Sequence, residues 1–228
     1  MTNPIKPRLR RIASSALHLD LKDIDLERQR QATASTAAFI NERLSHIGGT
    51  HGADALDAKL HLLRFALDES PEAGLVLEFG VATGLTLREI AAKRLPAHGF
   101  DSFEGLPEHW RDGYEKGVFA QDLPEVGGAE LHVGWFDQTL GTFLDDHPGP
   151  IAFMHVDADL YSSAVTIFTL AFDRLVPGTV IVFDEYFNYP GWEHHEHKAF
   201  TEFLQQYEGG VEYLGYNGLH EQLVVRLT

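Results

Sequence analysis

The 228-residue sequence contains no cysteine, few basic residues and no long apolar run. Without cysteine the chain has no disulfide framework, no thiolate zinc site and no cysteine nucleophile. The most apolar runs, 151–156 and 180–183, have the length of strands, and no run is long enough to cross a bilayer. The 18 basic residues against 34 acidic residues give a formal net charge of −16, which disfavours a nucleic-acid backbone as the partner.

A cluster of basic residues begins the chain. Lys6, Arg8, Arg10 and Arg11 are accompanied by no carboxylate. Organelle-targeting presequences and solvated tails both show such a cluster, and here no apolar signal-peptide core follows it. We interpret the cluster as a solvated tail, and we expect a cytoplasmic protein without membrane contact.

Residues 1–70 show helical rather than strand-like spacing of apolar residues, which predicts helices over 20–31, 34–47 and 53–67. The last of these is expected to bury a face that includes Leu56, Leu60, Leu63, Phe65 and Ala66. Gly48 and Gly49 end the second helix, and Pro71 ends the helical part. We therefore predict an N-terminal helical extension over residues 1–70 and a separate domain over 71–228.

From residue 74 onward, short apolar runs alternate with helical patterns. Strands are predicted at 74–79, 99–101, 130–134, 150–156 and 179–183, and helices at 85–95, 162–175 and 192–207, with a hydroxyl cap at the start of the second. Two further strands, 211–216 and 222–227, are joined near an Asn-Gly turn. The alternation predicts an α/β fold with a doubly wound, mostly parallel sheet and an antiparallel C-terminal hairpin.

Ligands of such sheets bind beyond the carboxyl ends of the strands. After the first strand the chain reads Glu78-Phe79-Gly80-Val81-Ala82-Thr83-Gly84, a glycine loop that opens a helix. The loop lacks both the dinucleotide and the P-loop glycine patterns, which disfavours a pyrophosphate cofactor. Asp101 ends the second strand, where an acid can accept hydrogen bonds from ribose hydroxyls. Together these features favour a nucleotide-type ligand that carries hydroxyls and a positive charge.

Carboxylates cluster after the fourth and fifth predicted strands. Asp157 and Asp159 follow the fourth strand, and Asp184 and Glu185 follow the fifth. Acids this close repel one another unless a cation neutralises them, and an all-oxygen set suits Mg²⁺. The alternative, that single acids cap a helix or face solvent, is weaker for four acids at adjacent strand ends.

His194, His195 and His197 form a second cluster. They lack the H-E-x-x-H spacing of a zinc protease, so a pocket-lining or solvent-facing cluster is favoured, with His195 as a candidate for proton transfer.

The chain from 74 to 228 resembles the class I S-adenosylmethionine-dependent methyltransferases, and within them the macrocin-type sugar O-methyltransferases. The resemblance lies in LEFGVATG (77–84), FDSFEGLPEHW (100–110), VGWFDQTL (133–140), HVDADLYSS (155–163) and VPGTVIVFDEYFNYPGW (176–192). It implies a seven-stranded Rossmann-like sheet with a reversed final strand. It also implies S-adenosylmethionine and Mg²⁺ as cofactors.

The resemblance assigns residues to both cofactors. The methyl-donor site would comprise Glu78, Gly80, Val81, Thr83, Gly84, Asp101, Ser102, Trp135, Phe136 and Asp157. The Mg²⁺ ligands would be Asp157, Asp184 and Glu185, and the general base would be Asp159. Many members of the family have a second aspartate where this chain has Glu185.

These assignments lead to a hypothesis of Mg²⁺-dependent methylation of a small-molecule hydroxyl, on a sugar or a glycosylated natural product with vicinal hydroxyls. The long connection 104–126 would act as a lid. A catechol-type O-methyltransferase acting on an aromatic diol and a non-catalytic cofactor-binding protein remain alternatives. The missing second glycine of the dinucleotide pattern disfavours an NAD-dependent oxidoreductase. We expect a homodimer.

Overall fold

The computed structural model describes residues 23–228; the basic cluster and its interpretation as a tail lie outside this range. The strands are Leu75–Phe79 (β1), Ala97–Asp101 (β2), Ala129–Val133 (β3), Ile151–Val156 (β4), Val180–Phe183 (β5), Val211–Tyr216 (β6) and Leu223–Leu227 (β7). The α-helices are Ile24–Arg43 (α1), Ala55–Glu69 (α2), Leu85–Lys93 (α3), Phe136–Asp146 (α4), Tyr161–Ala171 (α5) and Glu196–Gln206 (α6). Single-turn 3-10 helices span Phe172–Arg174 and Trp192–His194.

The strands form one sheet in the order β3-β2-β1-β4-β5-β7-β6. The first five strands in this order run parallel, and β7 pairs antiparallel with both β5 and β6. The predicted α/β fold with its antiparallel C-terminal hairpin is thus confirmed. The order reverses between β1 and β4, so the carboxyl ends of these two strands flank the crevice where such sheets bind ligands.

Helices cover both faces of the sheet. Alternate residues of β1 separate to the two sides: Leu77 and Phe79 join the core cluster under α4, α5 and α6, while Val76 joins the cluster under α2 and α3. Strand β4 is buried along its whole length, as expected of a central parallel strand. No helix within residues 23–228 is long and apolar enough to cross a membrane.

Helix α1 is a single helix where the sequence analysis predicted two. Asp23 caps it by accepting a hydrogen bond from the Leu26 amide at 3.1 Å. The helix packs on the loop after β5: Ser35 accepts a hydrogen bond from the Trp192 indole at 2.9 Å, and Thr36 accepts one from the Asn188 amide at 2.8 Å. Helix α1 therefore buttresses the loop that carries two of the predicted metal ligands.

Helix α2 buries only part of the predicted face, namely Leu63 and Ala66. Its buried residues are Ala58, Leu62, Leu63, Ala66 and Leu67, whereas Leu56 and Phe65 are exposed. The helix lies against the sheet, and its Leu62, Leu63, Ala66 and Leu67 belong to the same core cluster as Val180 and Val182 of β5. The domain boundary at residue 70 stays a prediction.

Two other local expectations differ from the structure. Helix α4 was not assigned from the sequence, because Thr139, Gly141 and Thr142 weaken its helical pattern. Helix α5 was expected to begin with a hydroxyl cap, but its N-cap is Leu160 and no side chain caps it.

Candidate active site

A cavity of about 660 Å³ opens at the carboxyl ends of the parallel strands. Of the predicted site residues, those that line it are Gly80, Asp101, Ser102, Trp135, Phe136, Asp157, Asp159 and Glu185. They come from the ends of β1 to β5, so the topology brings together residues far apart in the chain. The remaining predicted residues, Glu78, Val81, Thr83, Gly84, Asp184 and His195, are not among the lining residues.

The glycine loop after β1 is fixed by its own backbone and by Asp101. Gly80 has φ +87°, and a Cβ there would lie 1.9 Å from the Asp157 carbonyl oxygen, so a side chain cannot be accommodated. One oxygen of Asp101 accepts hydrogen bonds from the Val81 and Ala82 amides, each at 2.9 Å. Its other oxygen accepts one from Phe103 at 2.8 Å. Asp101 thus holds the loop while also facing the cavity, with acceptor capacity left for a ligand hydroxyl.

Three buried charged side chains, those of Glu78, His155 and Asp184, form a row of ion pairs close to the glycine loop. Glu78 is fully buried, and one of its oxygens is 2.9 Å from Nδ1 of His155. The other ring nitrogen of His155 lies 3.5 Å from Oδ1 of Asp184. Burial opposes charging of the imidazole, but the nearby carboxylates of Asp184 and Glu78 prevail and raise the pKa of His155 to about 10. His155 therefore acts as a buried cation that links the ends of β1, β4 and β5.

Three carboxylates converge on one point of the cavity wall. One oxygen each of Asp157, Asp159 and Glu185 lies within 4.8 Å of the other two. Burial, together with repulsion from the neighbouring acids, raises the pKa of Asp157 to about 6 and those of Asp159 and Glu185 well above the ordinary range. Asp159 has φ +58°, a strained conformation for a non-glycine residue that is common at functional sites.

Asp184 lies beside Asp157 and pairs with a lysine. Lys59, from α2, places its ammonium nitrogen 2.7 Å from Oδ2 of Asp184 and 3.5 Å from Oδ2 of Asp157. Burial by itself would raise the pKa of Asp184, but Lys59 and His155 lower it well below its usual range. Lys59 in turn keeps a raised pKa despite its burial, because Asp184 and Asp157 stabilise the ammonium. Part of the acidic cluster is thus neutralised by the chain itself.

Glu196 joins the two acid-bearing loops. It is fully buried at the start of α6, and its two oxygens accept hydrogen bonds from the Ala158 amide at 3.2 Å and the Glu185 amide at 3.3 Å. Burial raises its pKa well above the usual value. By holding one amide of each loop, Glu196 fixes the separation between Asp159 and Glu185.

The histidine cluster lies outside the cavity lining. His195 lies 5.9 Å from Tyr189 and 6.4 Å from Trp110, measured between ring centroids. Burial lowers the pKa of both His195 and His197. His197 packs edge-on against Phe39 and Trp192, in the core formed with α1. Tyr189 and Trp192 are buried core residues and do not line the cavity.

The predicted lid covers the cavity and is tied to two other elements. Arg111 forms a bidentate pair with Glu221 at 3.2 and 3.3 Å, and its guanidinium lies 3.9 Å from the centre of the Trp110 ring. Glu108 accepts a hydrogen bond from Ser162 at 2.7 Å. The lid is therefore fastened to the C-terminal hairpin on one side and to α5 on the other.

The sequence analysis missed Lys59 and Glu196, and it quoted His155 without giving it a role. Lys59 precedes Asp157, its partner in the site, by almost a hundred residues. No local pattern distinguishes it from a solvated lysine. Glu196 sits among polar residues that resemble a solvated helix start. The sequence does contain one indication of a role for His155, because a histidine inside an otherwise apolar strand must find a buried polar partner.

Comparison with known proteins matches residues 77–186 to a family model described as a methyltransferase domain. No curated protein sequence matches the chain. Among solved structures, CalS11, a calicheamicin methyltransferase, is similar with 22% identity and a TM-score of 0.58, covering 90% of this chain and 93% of its own. The O-methyltransferase NovP is similar with 21% identity and a TM-score of 0.56, covering 75% of this chain and 79% of its own. A second CalS11 structure, described as a TDP-rhamnose 3'-O-methyltransferase, has 21% identity, a TM-score of 0.53 and coverages of 90% and 95%.

Proposed function

We propose that this chain, which carries a methyltransferase domain over residues 77–186 on a class I methyltransferase fold, methylates a hydroxyl oxygen of a small molecule with S-adenosylmethionine as the donor. The observation that carries the proposal is the convergence of the glycine loop, Asp101 and three carboxylates on one cavity. An acceptor oxygen and a sulfonium donor can therefore meet within a single enclosed space. We further propose that the acceptor is a sugar or a glycosylated natural product with vicinal hydroxyls.

The donor side of the cavity suits a nucleoside with a cationic sulfur. Asp101 at the end of β2 retains acceptor capacity for ribose hydroxyls, and Trp135 and Phe136 offer aromatic surface beyond β3. The nearby carboxylates favour a positive charge. Gly80 and Ser102 line the cavity, whereas Glu78, Val81, Thr83 and Gly84 contribute by holding the loop.

The acceptor side suits a divalent cation. Buried acids outnumber the cations that Lys59 and His155 supply, and Oε2 of Glu185 has no hydrogen-bond partner although it is buried. Asp157 and Glu185 both line the cavity, and Mg²⁺ is commonly held by one or two carboxylates plus substrate oxygens and water. We propose these two residues as the Mg²⁺ ligands. Asp184, predicted as a third ligand, is engaged by Lys59 and serves to position the cluster.

Methyl transfer requires that the acceptor hydroxyl lose its proton, and bound Mg²⁺ would supply electrostatic stabilisation of the developing oxyanion. Asp159 is the third carboxylate of the convergent set and faces the cavity, so we assign it as the proton acceptor. His195 has no contact with the cavity, and we give it no part in proton transfer. Glu196 and the strained backbone at Asp159 hold that carboxylate in place.

The test is to incubate the protein with radiolabelled S-adenosylmethionine, Mg²⁺ or EDTA, and panels of nucleotide-linked sugars, glycosides and catechols. We expect label transfer to a vicinal diol that EDTA abolishes. Asp157→Asn should lose this activity, and Asp145→Asn, an exposed acid on α4, should keep it. Transfer that EDTA and Asp157→Asn leave unchanged would remove the metal. Donor binding without transfer to any acceptor would favour a cofactor-binding protein. The homodimer and the cytoplasmic location stay predictions.

A further inference from the structure

A second group of metal-ligating side chains lies on the edge strand β3 and its neighbour β2, outside the residues that line the cavity. His98 of β2 is paired in register with Glu130 of β3, and Phe100 is paired with His132. Because alternate residues of a strand share a face, all four side chains project to the side covered by α4. Parallel pairing therefore places two imidazoles and a carboxylate side by side.

The three side chains present their ligand atoms to one another. Nδ1 of His98 lies 3.2 Å from Nε2 of His132 and 3.8 Å from Oε2 of Glu130. One ligand atom from each residue lies within 4.8 Å of the other two. The side chain of His98 is only 4% exposed, and its Nε2 has no hydrogen-bond partner. The nitrogen of His98 that faces His132 and Glu130 is Nδ1, whereas Nε2 lies on the opposite side of the ring.

The surrounding rings hold the two imidazoles in place. Phe100 stacks on His132 at 4.5 Å between centroids, and Phe143 of α4 packs against both histidines at 4.7 and 4.8 Å. Burial lowers the pKa of His98 to about 4 and also lowers that of His132, which favours the neutral rings, each with one nitrogen lone pair. Neutral imidazole is the form that binds metals.

We propose that His98, Glu130 and His132 form a site for a borderline transition-metal dication of the Zn²⁺ class. Two imidazoles and one carboxylate suit Zn²⁺, Co²⁺ or Ni²⁺ better than Mg²⁺, whose preferred ligands are oxygens, so this site is chemically distinct from the acidic cluster. Three protein ligands leave one tetrahedral position for water. A bound ion would cross-link the outermost strand β3 to β2. It would thereby also connect the loop that follows Asp101 to the loop that begins at Gly134.

Co²⁺ is the probe that tests this site, titrated into the intact protein with excess Mg²⁺ to occupy the acidic cluster. The wild type should bind one equivalent with the visible absorption of a four- or five-coordinate, nitrogen-ligated ion. His132→Phe keeps a ring to stack on Phe100 but removes a ligand, and it should weaken Co²⁺ binding by about tenfold or more. His109→Gln, which breaks an exposed His-Glu pair of similar geometry, should bind like the wild type.

Glu130→Gln provides an independent test, because Glu130 is an exposed side chain whose replacement should not disturb the core. It too should weaken Co²⁺ binding, and thermal scans should show a Zn²⁺-dependent rise in melting temperature for the wild type that both variants lack. The proposal is overturned if both variants bind Co²⁺ like the wild type, or if the wild-type spectrum shows only the weak bands of an octahedral oxygen-ligated ion.

Discussion

Lys59 provides the sharpest perturbation of the acidic cluster, because it is the cation that the chain supplies to Asp184 and Asp157. Lys59→Met keeps most of the side-chain volume and removes the charge. At 2.7 Å from Asp184, the gross attraction is about 6 kcal/mol at an effective dielectric constant of ~20. Desolvation offsets part of this, and breaking a buried pair costs about 3–5 kcal/mol. His155 still faces Asp184, so we expect the lower value, about 3 kcal/mol.

The assay is thermal unfolding in EDTA. For a chain of this length, ~3 kcal/mol corresponds to a decrease in melting temperature of about 6–12 °C. Saturating Mg²⁺ should then stabilise Lys59→Met more than it stabilises the wild type, because the ion no longer competes with an ammonium for Asp157.

Lys198→Met is the matched control, since Lys198 pairs with Glu202 at 2.8 Å on an exposed helix surface. Its melting temperature should stay at the wild-type value. The reasoning fails if Lys59→Met melts within about 2 °C of the wild type in EDTA. Removal of the ammonium from the buried carboxylates of Asp157 and Asp184 would then not lower the stability of the fold.

Three further variants probe the residues around the cluster. Asp159→Asn should lower kcat by about 10²–10⁴-fold with donor affinity unchanged, measured by steady-state kinetics and calorimetry; a wild-type kcat would exclude Asp159 as the base. Glu196→Ala should cost about 2–3 kcal/mol in urea unfolding, because two buried amides lose their acceptor, and equal stability would contradict the bridging role. His155 has a folded-state pKa raised to about 10, so the folded state binds the extra proton above pH 6.5; its stabilisation is complete below pH 6.5 and is lost as pH rises to 10. His155→Gln should therefore show a flatter loss of stability across this range, and an unchanged slope would refute the assignment.

The parallel sheet was predictable because its strands are short, apolar and separated by helical patterns. Strand β4 is buried throughout, as its nearly all-apolar sequence indicates. The meeting of Asp157, Asp159 and Glu185 followed from the same reasoning, since the carboxyl ends of adjacent parallel strands share one edge. For these residues the topology alone determines the neighbours.

The partners of Asp184 were not predictable from local sequence. Lys59 reaches it from a helix 125 positions earlier, and the predicted buried face of that helix did not take in Ala58, the residue next to Lys59. The predicted face counted Leu56 and Phe65 as buried, yet both are exposed, because the packing of α2 on the sheet and not hydrophobicity alone decides which stripe turns inward. The sequence likewise indicates that His155 needs a buried partner but does not identify it. Only the register of β1 against β4 shows that Glu78 faces His155.

The most direct test is anomalous diffraction from crystals grown with Mn²⁺ and S-adenosylhomocysteine. We predict an anomalous peak for an Mn²⁺ ion that is coordinated by carboxylate oxygens of Asp157 and Glu185. The nucleoside should lie beside Asp101 in the same cavity. A cavity that holds the nucleoside while no Mn²⁺ contacts these carboxylates, with Lys59 still bound to both Asp157 and Asp184, would contradict the account.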